Sequence, residues 1–186
     1  MRKPTVFLGK GHSLFFPELP HPYSYNNKST ASDILAAVLA LFKKHRVSSV
    51  VVIGHSLGAA LALLDSVYLP LHMPAGTSVR MIGYGLPRVG NAAFADYVDA
   101  TLSRNVTHIN NKEDPVPIVP SKFLGYVHPT GEIHIQDSGA WDACPGQDNP
   151  SELCIVGDVP TVFQGNLSNH DGPYDGILMG CTTKIE

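Results

Sequence analysis

A pentapeptide of the form G-x-S-x-G at residues 54–58 lies between two apolar segments and constrains the fold of this chain more than any other feature. The preceding segment, residues 50–53, is β-branched throughout and is predicted to form a fully buried strand. The following segment, residues 59–64, contains only alanine and leucine and is predicted to form a buried helix. A strand, a sharp turn and a helix in this order would hold the serine of the motif, Ser56, clear of the sheet.

The residue types in this turn suit a nucleophilic serine. We expect Gly54 and Gly58 to leave room where a side chain would collide with neighbouring backbone. The helix that follows would direct its first N–H groups, and the positive end of its dipole, at developing negative charge. The alternative is a glycine-rich turn with a buried, inert serine. The rest of the chain opposes that alternative because it supplies the partners that a nucleophile needs.

The composition indicates one globular domain across the 186 residues, because 44% hydrophobic and 16% charged residues are enough to build a sizeable core. The net charge of −3 and the absence of a basic patch argue against nucleic acid as a partner. No apolar stretch of the sequence is long enough to cross a membrane. Lys10 and His12 interrupt the first apolar run too soon for a signal peptide, so we predict none.

Hydrophobic periodicity predicts helices and strands in alternation, which indicates an α/β fold with a mostly parallel central sheet flanked by helices. Helices are predicted to start at residues 30, 59 and 92, and strands to cover residues 50–53, 79–85 and 106–110. Asn91 is the expected N-cap of the third helix. Further predictions are a hairpin of residues 126–128 and 132–135, a mostly loop segment at 137–168, and a short strand at 5–8 in a poorly patterned N-terminal region of residues 1–28.

Three residues could form an acyl-transfer site. Acyl transfer needs a nucleophile, a base, and a carboxylate that orients the base, and in α/β-hydrolases these occur in the order Ser, Asp or Glu, His. Ser56, Asp114 and His170 occur in that order. Asp114 follows the strand predicted at residues 106–110, at the end where catalytic groups of parallel sheets gather. His170 is the last histidine of the chain and lies in a turn beyond the last predicted strand.

Each of these assignments has competitors. Glu113 is adjacent to Asp114, whereas Asp96 and Asp99 lie on a predicted helix and are expected to face solvent. His55 lies inside the turn and is expected to point away from the hydroxyl of Ser56. The other candidate bases are expected to be structural, and they are His108, His128 and His134.

A proline-rich stretch beside the acid could form part of a substrate site. Residues 115–120 alternate proline with valine and isoleucine, which is typical either of a rigid loop or of an apolar wall for an acyl chain. The candidate substrate contacts are His55, Leu86, Val116 and Ile118.

The chain contains no H-E-x-x-H and no C-x-x-C motif, so we predict neither a metal nor a cofactor. Three N-x-[ST] sequons, at Asn27, Asn105 and Asn166, are weak evidence for secretion.

Four ordered motifs together resemble the fungal class 3 lipases, which are secreted α/β-hydrolases that cleave triacylglycerols. The motifs are residues 54–58, residues 84–91, residues 114–117 and the late His170, and the resemblance runs from about Ser29 to Cys181. It implies Ser56 as nucleophile, Asp114 as orienting acid and His170 as general base. It also implies the backbone N–H of Leu57 as an oxyanion donor and a disulfide between Cys144 and Cys154.

The resemblance further implies a monomer that needs no cofactor and acts on lipid esters at a lipid–water interface. Family members have an early strand with a second oxyanion donor, followed by a helical lid, and residues 1–28 match neither. We therefore expect this chain to lack the family's N-terminal segment, with residues 9–11 as a substitute donor loop. The family's C-terminal cysteine commonly pairs with an N-terminal one, so Cys181 is expected to lack its partner.

A sheet without its first strands is expected to expose one edge and an apolar face. Three alternatives to a lipase stay open from the sequence. The first is an esterase for smaller or aromatic esters of the feruloyl type, the second is a non-catalytic fragment, and the third is a glycosylated structural protein.

Overall fold

The structure is a computed structural model, and it describes residues 5–8, 12–15, 30–45 and 47–179. The strands in chain order are β1 (Thr5–Leu8), β2 (His12–Phe15), β3 (Ser49–His55), β4 (Ser78–Tyr84), β5 (Gly90–Asn91), β6 (Val106–Asn111), β7 (Tyr126–Val127), β8 (Glu132–Ile135) and β9 (Trp141–Cys144). The α-helices are α1 (Thr30–His45), α2 (Leu57–Tyr68), α3 (Ala92–Leu102) and α4 (Ile155–Asp158). Residues 9–11, Asn27 and Cys181 lie outside the described residues.

The central sheet has the strand order β3-β4-β6-β8-β9. Its first four strands are parallel and β9 is antiparallel to β8, so the predicted mostly parallel sheet is confirmed. The four predicted strands at 5–8, 50–53, 79–85 and 106–110 are all present, with ends that differ by one or two residues. β1 belongs to a second, antiparallel sheet of order β2-β1-β5-β7.

The predicted hairpin of residues 126–128 and 132–135 is wrong. β7 pairs with β5, whereas β8 pairs in parallel with β6, so the two segments lie in different sheets. The intervening loop is held elsewhere, because Thr130 donates from its backbone N–H and its hydroxyl to Asp99, and Gly131 accepts from the backbone N–H of His108. The hairpin of this region is instead β8–β9, and its second strand lies inside the segment 137–168 that the sequence predicts to be mostly loop.

Helices cover one face of the central sheet. Side chains of α2 and α3, including Leu63 and Phe94, pack with Met81 of β4 in the larger core cluster. The apolar side of α1 packs against a second cluster of Leu69, Met73 and Val79, and Val50 and Val52 of β3 pack against the same cluster. α3 begins where the sequence predicts, because the side chain of Asn91 accepts a hydrogen bond from the backbone N–H of Phe94 at 3.0 Å. In the described part of the chain, no helix is long and apolar enough to cross a membrane.

The prediction that residues 50–53 form a fully buried strand is wrong. β3 is the edge strand of the central sheet among the described residues, and Val51 and Ile53 are 52% and 62% exposed. Val50 and Val52 point to the opposite face, where the helices cover them. Among the described residues, the β-branched run is therefore covered on one side, and its other side exposes Val51 and Ile53.

Candidate active site

Ser56 occupies a strained turn between β3 and α2. Its backbone has φ 56° and ψ −130°, in a region that residues with a side chain rarely adopt. Such a conformation costs about 1–3 kcal/mol and persists only where the surrounding structure enforces it. One constraint here is a hydrogen bond of 2.9 Å from the backbone N–H of Ser56 to the carbonyl of Tyr84 on the neighbouring strand. This strand–turn–helix geometry is that of a nucleophile elbow.

The two glycines of the motif differ in their packing. A Cβ at Gly54 would lie 2.2 Å from the backbone oxygen of Gly58, so only glycine fits at position 54 without a backbone shift. A Cβ at Gly58 would meet no atom of the described residues within 4 Å. The prediction that a side chain at either glycine would collide with neighbouring backbone is therefore correct for Gly54. It is wrong for Gly58, because Gly58 lies on the exposed side of α2.

We expect Gly54→Ala to damage the elbow and Gly58→Ala to leave it intact. Overpacking at position 54 should lower the free energy of unfolding by about 1–3 kcal/mol. Displacement of Ser56 by about 1 Å should lower the rate of a reaction at its hydroxyl roughly 100-fold. Urea unfolding and the rate at which Ser56 is labelled by a fluorophosphonate probe measure both effects in the two variants. Equal losses in the two variants would contradict the packing difference.

The structure brings Asp114 and His170 together. Oδ2 of Asp114 lies 2.8 Å from Nδ1 of His170, and Oδ1 accepts a hydrogen bond of 2.8 Å from the backbone N–H of Val116. Burial raises the pKa of the Asp114 carboxyl, while the hydrogen bonds to His170 and Val116 oppose that rise. Because the carboxylate can only accept, the pair places a hydrogen on Nδ1 of His170 and leaves Nε2 to exchange a proton. Nε2 is buried and has no hydrogen-bond partner among the described residues.

The competing acid, Glu113, has another role. Its side chain accepts from the amide of Asn169 at 2.8 Å, and its backbone oxygen accepts from the N–H of Asn166 at 2.7 Å. Asn111 adds a hydrogen bond from its amide to the carbonyl of Asn169. These hydrogen bonds hold the loop that contains His170 against the loop that contains the acid. Of Glu113 and Asp114, only Asp114 has a hydrogen bond to the side chain of His170.

The end of β4 connects the serine to this pair. Gly85 follows Tyr84, whose carbonyl holds the N–H of Ser56, and a Cβ at Gly85 would lie 2.8 Å from the imidazole of His170. The φ of Gly85 is 54°, so glycine is needed here for both conformation and space. Within the described chain, the Oγ of Ser56 has no hydrogen bond to Nε2 of His170. Such bonds are often long in the absence of substrate and tighten in the reacting complex.

The remaining predicted site residues lie in different surroundings. α2 begins at Leu57, so its backbone N–H is one of the free donors at the helix N-terminus. Leu86 is completely buried in the core between the sheet and the helices, which corrects its assignment as a substrate contact. Val116 is half-buried, two residues after the acid. Ile118 borders a groove of about 290 Å³, whose other apolar lining residues are Val119, Val156, Val159, Pro160 and Val162.

Comparison with known proteins decides the family. The sequence profile described as Lipase (class 3) matches residues 9–124, more than half of the chain. This chain belongs to the class 3 lipase family. The secreted mono- and diacylglycerol lipase LIP1 of Malassezia globosa is 35% identical over 175 residues, covering 90% of this chain and 56% of that protein.

Solved structures of class 3 lipases share the α/β-hydrolase fold of this chain. Lipase II from Rhizopus niveus superposes with a TM-score of 0.70 at 31% identity, over 80% of this chain and 55% of that one. A triacylglycerol lipase described as having a serine protease triad at its catalytic centre gives 0.66 at 30% identity, over 86% and 65%. The chain spans about half the length of the curated relatives it matches.

Two of the buried histidines outside the Asp114–His170 pair lie against each other in this class 3 lipase chain. The rings of His108 and His128 stack with centroids 4.9 Å apart. Their Nε2 atoms lie 3.1 Å and 2.8 Å from the carbonyls of Pro129 and Pro117, so both nitrogens carry a hydrogen. Burial lowers the pKa of His108, and burial together with the neighbouring His108 and Arg88 lowers the pKa of His128 well below its ordinary value.

This pair should make the fold sensitive to acid. A histidine whose pKa is lower in the folded than in the unfolded chain binds fewer protons when folded, so stability is lost as pH falls below about 6.5. We expect the free energy of unfolding to fall by up to about 1.4 kcal/mol per pH unit for each histidine. Urea unfolding between pH 7.5 and 5.5 measures this slope. His128→Gln, which keeps a donor toward Pro117, should reduce it, and an unchanged slope would contradict the prediction.

Sequence reasoning missed a buried ion pair in the same region. Nε of Arg88 donates to Oδ1 of Asp148 at 2.8 Å, and both side chains are 2% exposed. Arg88 also donates to the carbonyls of Ile118 and Pro120, and Asp148 accepts from the N–H of His128. Arg88 lies in the motif at residues 84–91, but Asp148 lies in a loop with no pattern of its own. The Cys144–Cys154 disulfide, which the resemblance implies, is present and joins the two ends of the loop that contains Asp148.

Proposed function

We propose that this chain is a serine hydrolase that cleaves carboxylic esters of lipids. The observation that carries this proposal is the Asp114–His170 pair, whose Nε2 atom has no partner among the described residues, beside a serine in an elbow conformation. Membership of the class 3 lipase family supports it. The relative described as having a serine protease triad supports the same assignment of roles.

The proposed reaction proceeds through an acyl-enzyme. Nε2 of His170 takes the proton of the Ser56 hydroxyl as its oxygen attacks the ester carbonyl. The tetrahedral intermediate carries negative charge, which the N–H of Leu57 and the N-terminus of α2 stabilise. His170 then protonates the leaving alcohol, and the Ser56 ester remains. Water, activated by His170, attacks that ester and releases the fatty acid, and Asp114 stabilises the charged imidazole in both steps.

The proposed substrates are acylglycerols. Several relatives are named mono- and diacylglycerol lipases, and these names support partial glycerides as the substrates of this chain. The apolar groove beside Ile118 offers a surface for an acyl chain. We propose that residues 1–186 act as one hydrolase domain and that the chain acts as a monomer at a lipid–water interface. The named relatives are secreted, which supports secretion as the route of the whole protein.

Hydrolysis of p-nitrophenyl esters of two to sixteen carbons by the 186-residue chain tests the function, together with labelling by a fluorophosphonate probe. A lipase should label at Ser56 and prefer the longer esters. Labelling with preference for short or feruloyl esters would replace the lipase by the esterase alternative. A folded chain that neither labels nor turns over any ester would contradict the hydrolase and favour the non-catalytic fragment.

A further inference from the structure

The backbone carbonyl of His170 receives two side-chain hydrogen bonds that the proposed reaction does not use. Nε2 of His55 lies 2.8 Å from this oxygen, and the hydroxyl of Tyr174 donates to it at 3.1 Å. Because a carbonyl can only accept, Nε2 of His55 carries a hydrogen. The two donors occupy both lone pairs of the oxygen. His170 is therefore held at its ring by Asp114 and at its backbone by two further side chains.

One of these donors belongs to the elbow itself. His55 is the last residue of β3 and directly precedes Ser56. Its ring also packs on the imidazole of His170, with centroids 4.5 Å apart at a tilt of 33°. The hydrogen bond from His55 thus joins the segment that carries the serine to the segment that carries the base.

The other donor is fixed by burial. Tyr174 is 3% exposed, and its ring makes edge-on contacts with Tyr84 at 5.2 Å and His55 at 6.1 Å. Burial, with Asp114 as the next cause, raises the pKa of the Tyr174 hydroxyl. The group therefore stays protonated and able to donate at neutral pH.

We infer that His55 and Tyr174 are positioning residues that clamp the backbone of His170, so that its Nε2 atom keeps a fixed position relative to Ser56. This inference rests on the proposed roles of Ser56 and His170. Proton transfer depends on heavy-atom separations of about 2.6–3.2 Å, so a small rotation of the base loop would interrupt it. The clamp would act on turnover and leave substrate affinity unchanged, which separates it from the predicted substrate-contact role of His55.

Four variants test the clamp through kcat and KM for p-nitrophenyl butyrate. Loss of the hydrogen bond in His55→Leu should lower kcat about 30- to 100-fold, the scale of a 1 Å misplacement of a reacting group. Tyr174→Phe should lower kcat about tenfold, the scale of one net hydrogen bond. His55→Gln keeps an N–H donor and should recover most of the turnover. Tyr97→Phe, on α3, is the matched tyrosine control and should change neither constant.

Three kinetic outcomes would overturn the clamp. A rise in KM at constant kcat in His55→Leu would make His55 a substrate contact. Equal losses in His55→Gln and His55→Leu would show that the donor is not what matters. A loss in Tyr174→Phe that persists in a His170→Ala background would show that the hydroxyl does not act through the base.

A measurement independent of activity separates failure of the clamp from failure of the proposed function. At pH 8, imidazole ¹⁵N shifts should show the hydrogen of His55 on Nε2, held there by the carbonyl of His170. A hydrogen on Nδ1 would overturn the clamp, whether or not the chain hydrolyses esters. If wild-type protein shows no turnover while His55 is protonated at Nε2, the hydrolase proposal fails and the clamp geometry stands.

Discussion

Ser56→Ala is expected to abolish ester hydrolysis while the chain stays folded. The serine side chain is small, and the elbow is held by backbone contacts that alanine preserves, such as the N–H bond to Tyr84. Loss of the nucleophile or of the base in a serine hydrolase lowers kcat by about 10⁶-fold, and His170→Ala should match Ser56→Ala. Turnover above background in Ser56→Ala, measured with activated esters, would refute the nucleophile.

The acid should show a smaller but still large effect. Asp114→Asn keeps an oxygen to accept from the N–H of Val116, but its NH₂ group then faces Nδ1 of His170 and can only donate, so the imidazole hydrogen moves to Nε2. The wrong tautomer costs a serine hydrolase about 10⁴-fold in kcat. The matched control is Glu113→Gln, which keeps an oxygen to accept from Asn169 and should cost less than roughly tenfold, the scale of one hydrogen bond. A larger loss in Glu113→Gln than in Asp114→Asn would reverse the assignment of the acid.

Asp148→Ala is expected to be the most damaging change to stability. It would leave the buried Arg88 guanidinium without a counter-ion and the backbone N–H of His128 without an acceptor. Removing one partner of a buried pair costs about 3–5 kcal/mol, because the remaining charge is desolvated and unpaired. A loss of that size is a large fraction of the total stability of a domain. Urea unfolding at pH 7.5 measures it directly.

The chain contains a matched surface pair as the control. Lys112 and Asp137 are 3.3 Å apart, but their side chains are 33% and 66% exposed. Water and salt screen such a pair, so Asp137→Ala should cost about 0–1 kcal/mol. The prediction concerns the difference between the two variants. Similar losses in both, or a loss below about 1 kcal/mol in Asp148→Ala, would show that the buried Arg88 charge is compensated by the carbonyls it also contacts.

Several parts of this fold and its candidate site follow from local sequence. The strand, turn and helix around Ser56 were predictable because glycine, β-branched residues and alanine each favour one backbone conformation. The cap at Asn91 was predictable for a similar reason, since a side-chain amide can satisfy the free N–H groups of the first turn. The order of Ser56, Asp114 and His170 along the chain could be predicted from the sequence. Only the hydrogen bonds in the structure distinguish Asp114 from Glu113 as the partner of His170.

The errors have a common physical origin in strand pairing and burial. Residues 126–135 carry a turn signal, yet β7 does not pair with β8: β7 pairs with β5 and β8 pairs with β6, both more than 20 residues away in sequence. Residues 50–53 are apolar on both faces, but whether both are covered depends on what pairs and packs beside β3. Leu86 and Ile118 are both apolar and both buried, and only packing places the first in the cluster between sheet and helices and the second in a separate cluster that borders a groove.

Most of the local elements, the α/β class and the three residue types that acyl transfer requires could be predicted from the chain alone, because they depend on neighbours within a few positions. Packing between distant segments selects the acid that binds His170, the histidines that stack in the core, and the carbonyl that accepts from His55 and Tyr174. Those choices join residues between 4 and 115 positions apart. They arise from the packing of loops at the ends of β3, β4 and β6, which sequence periodicity does not record.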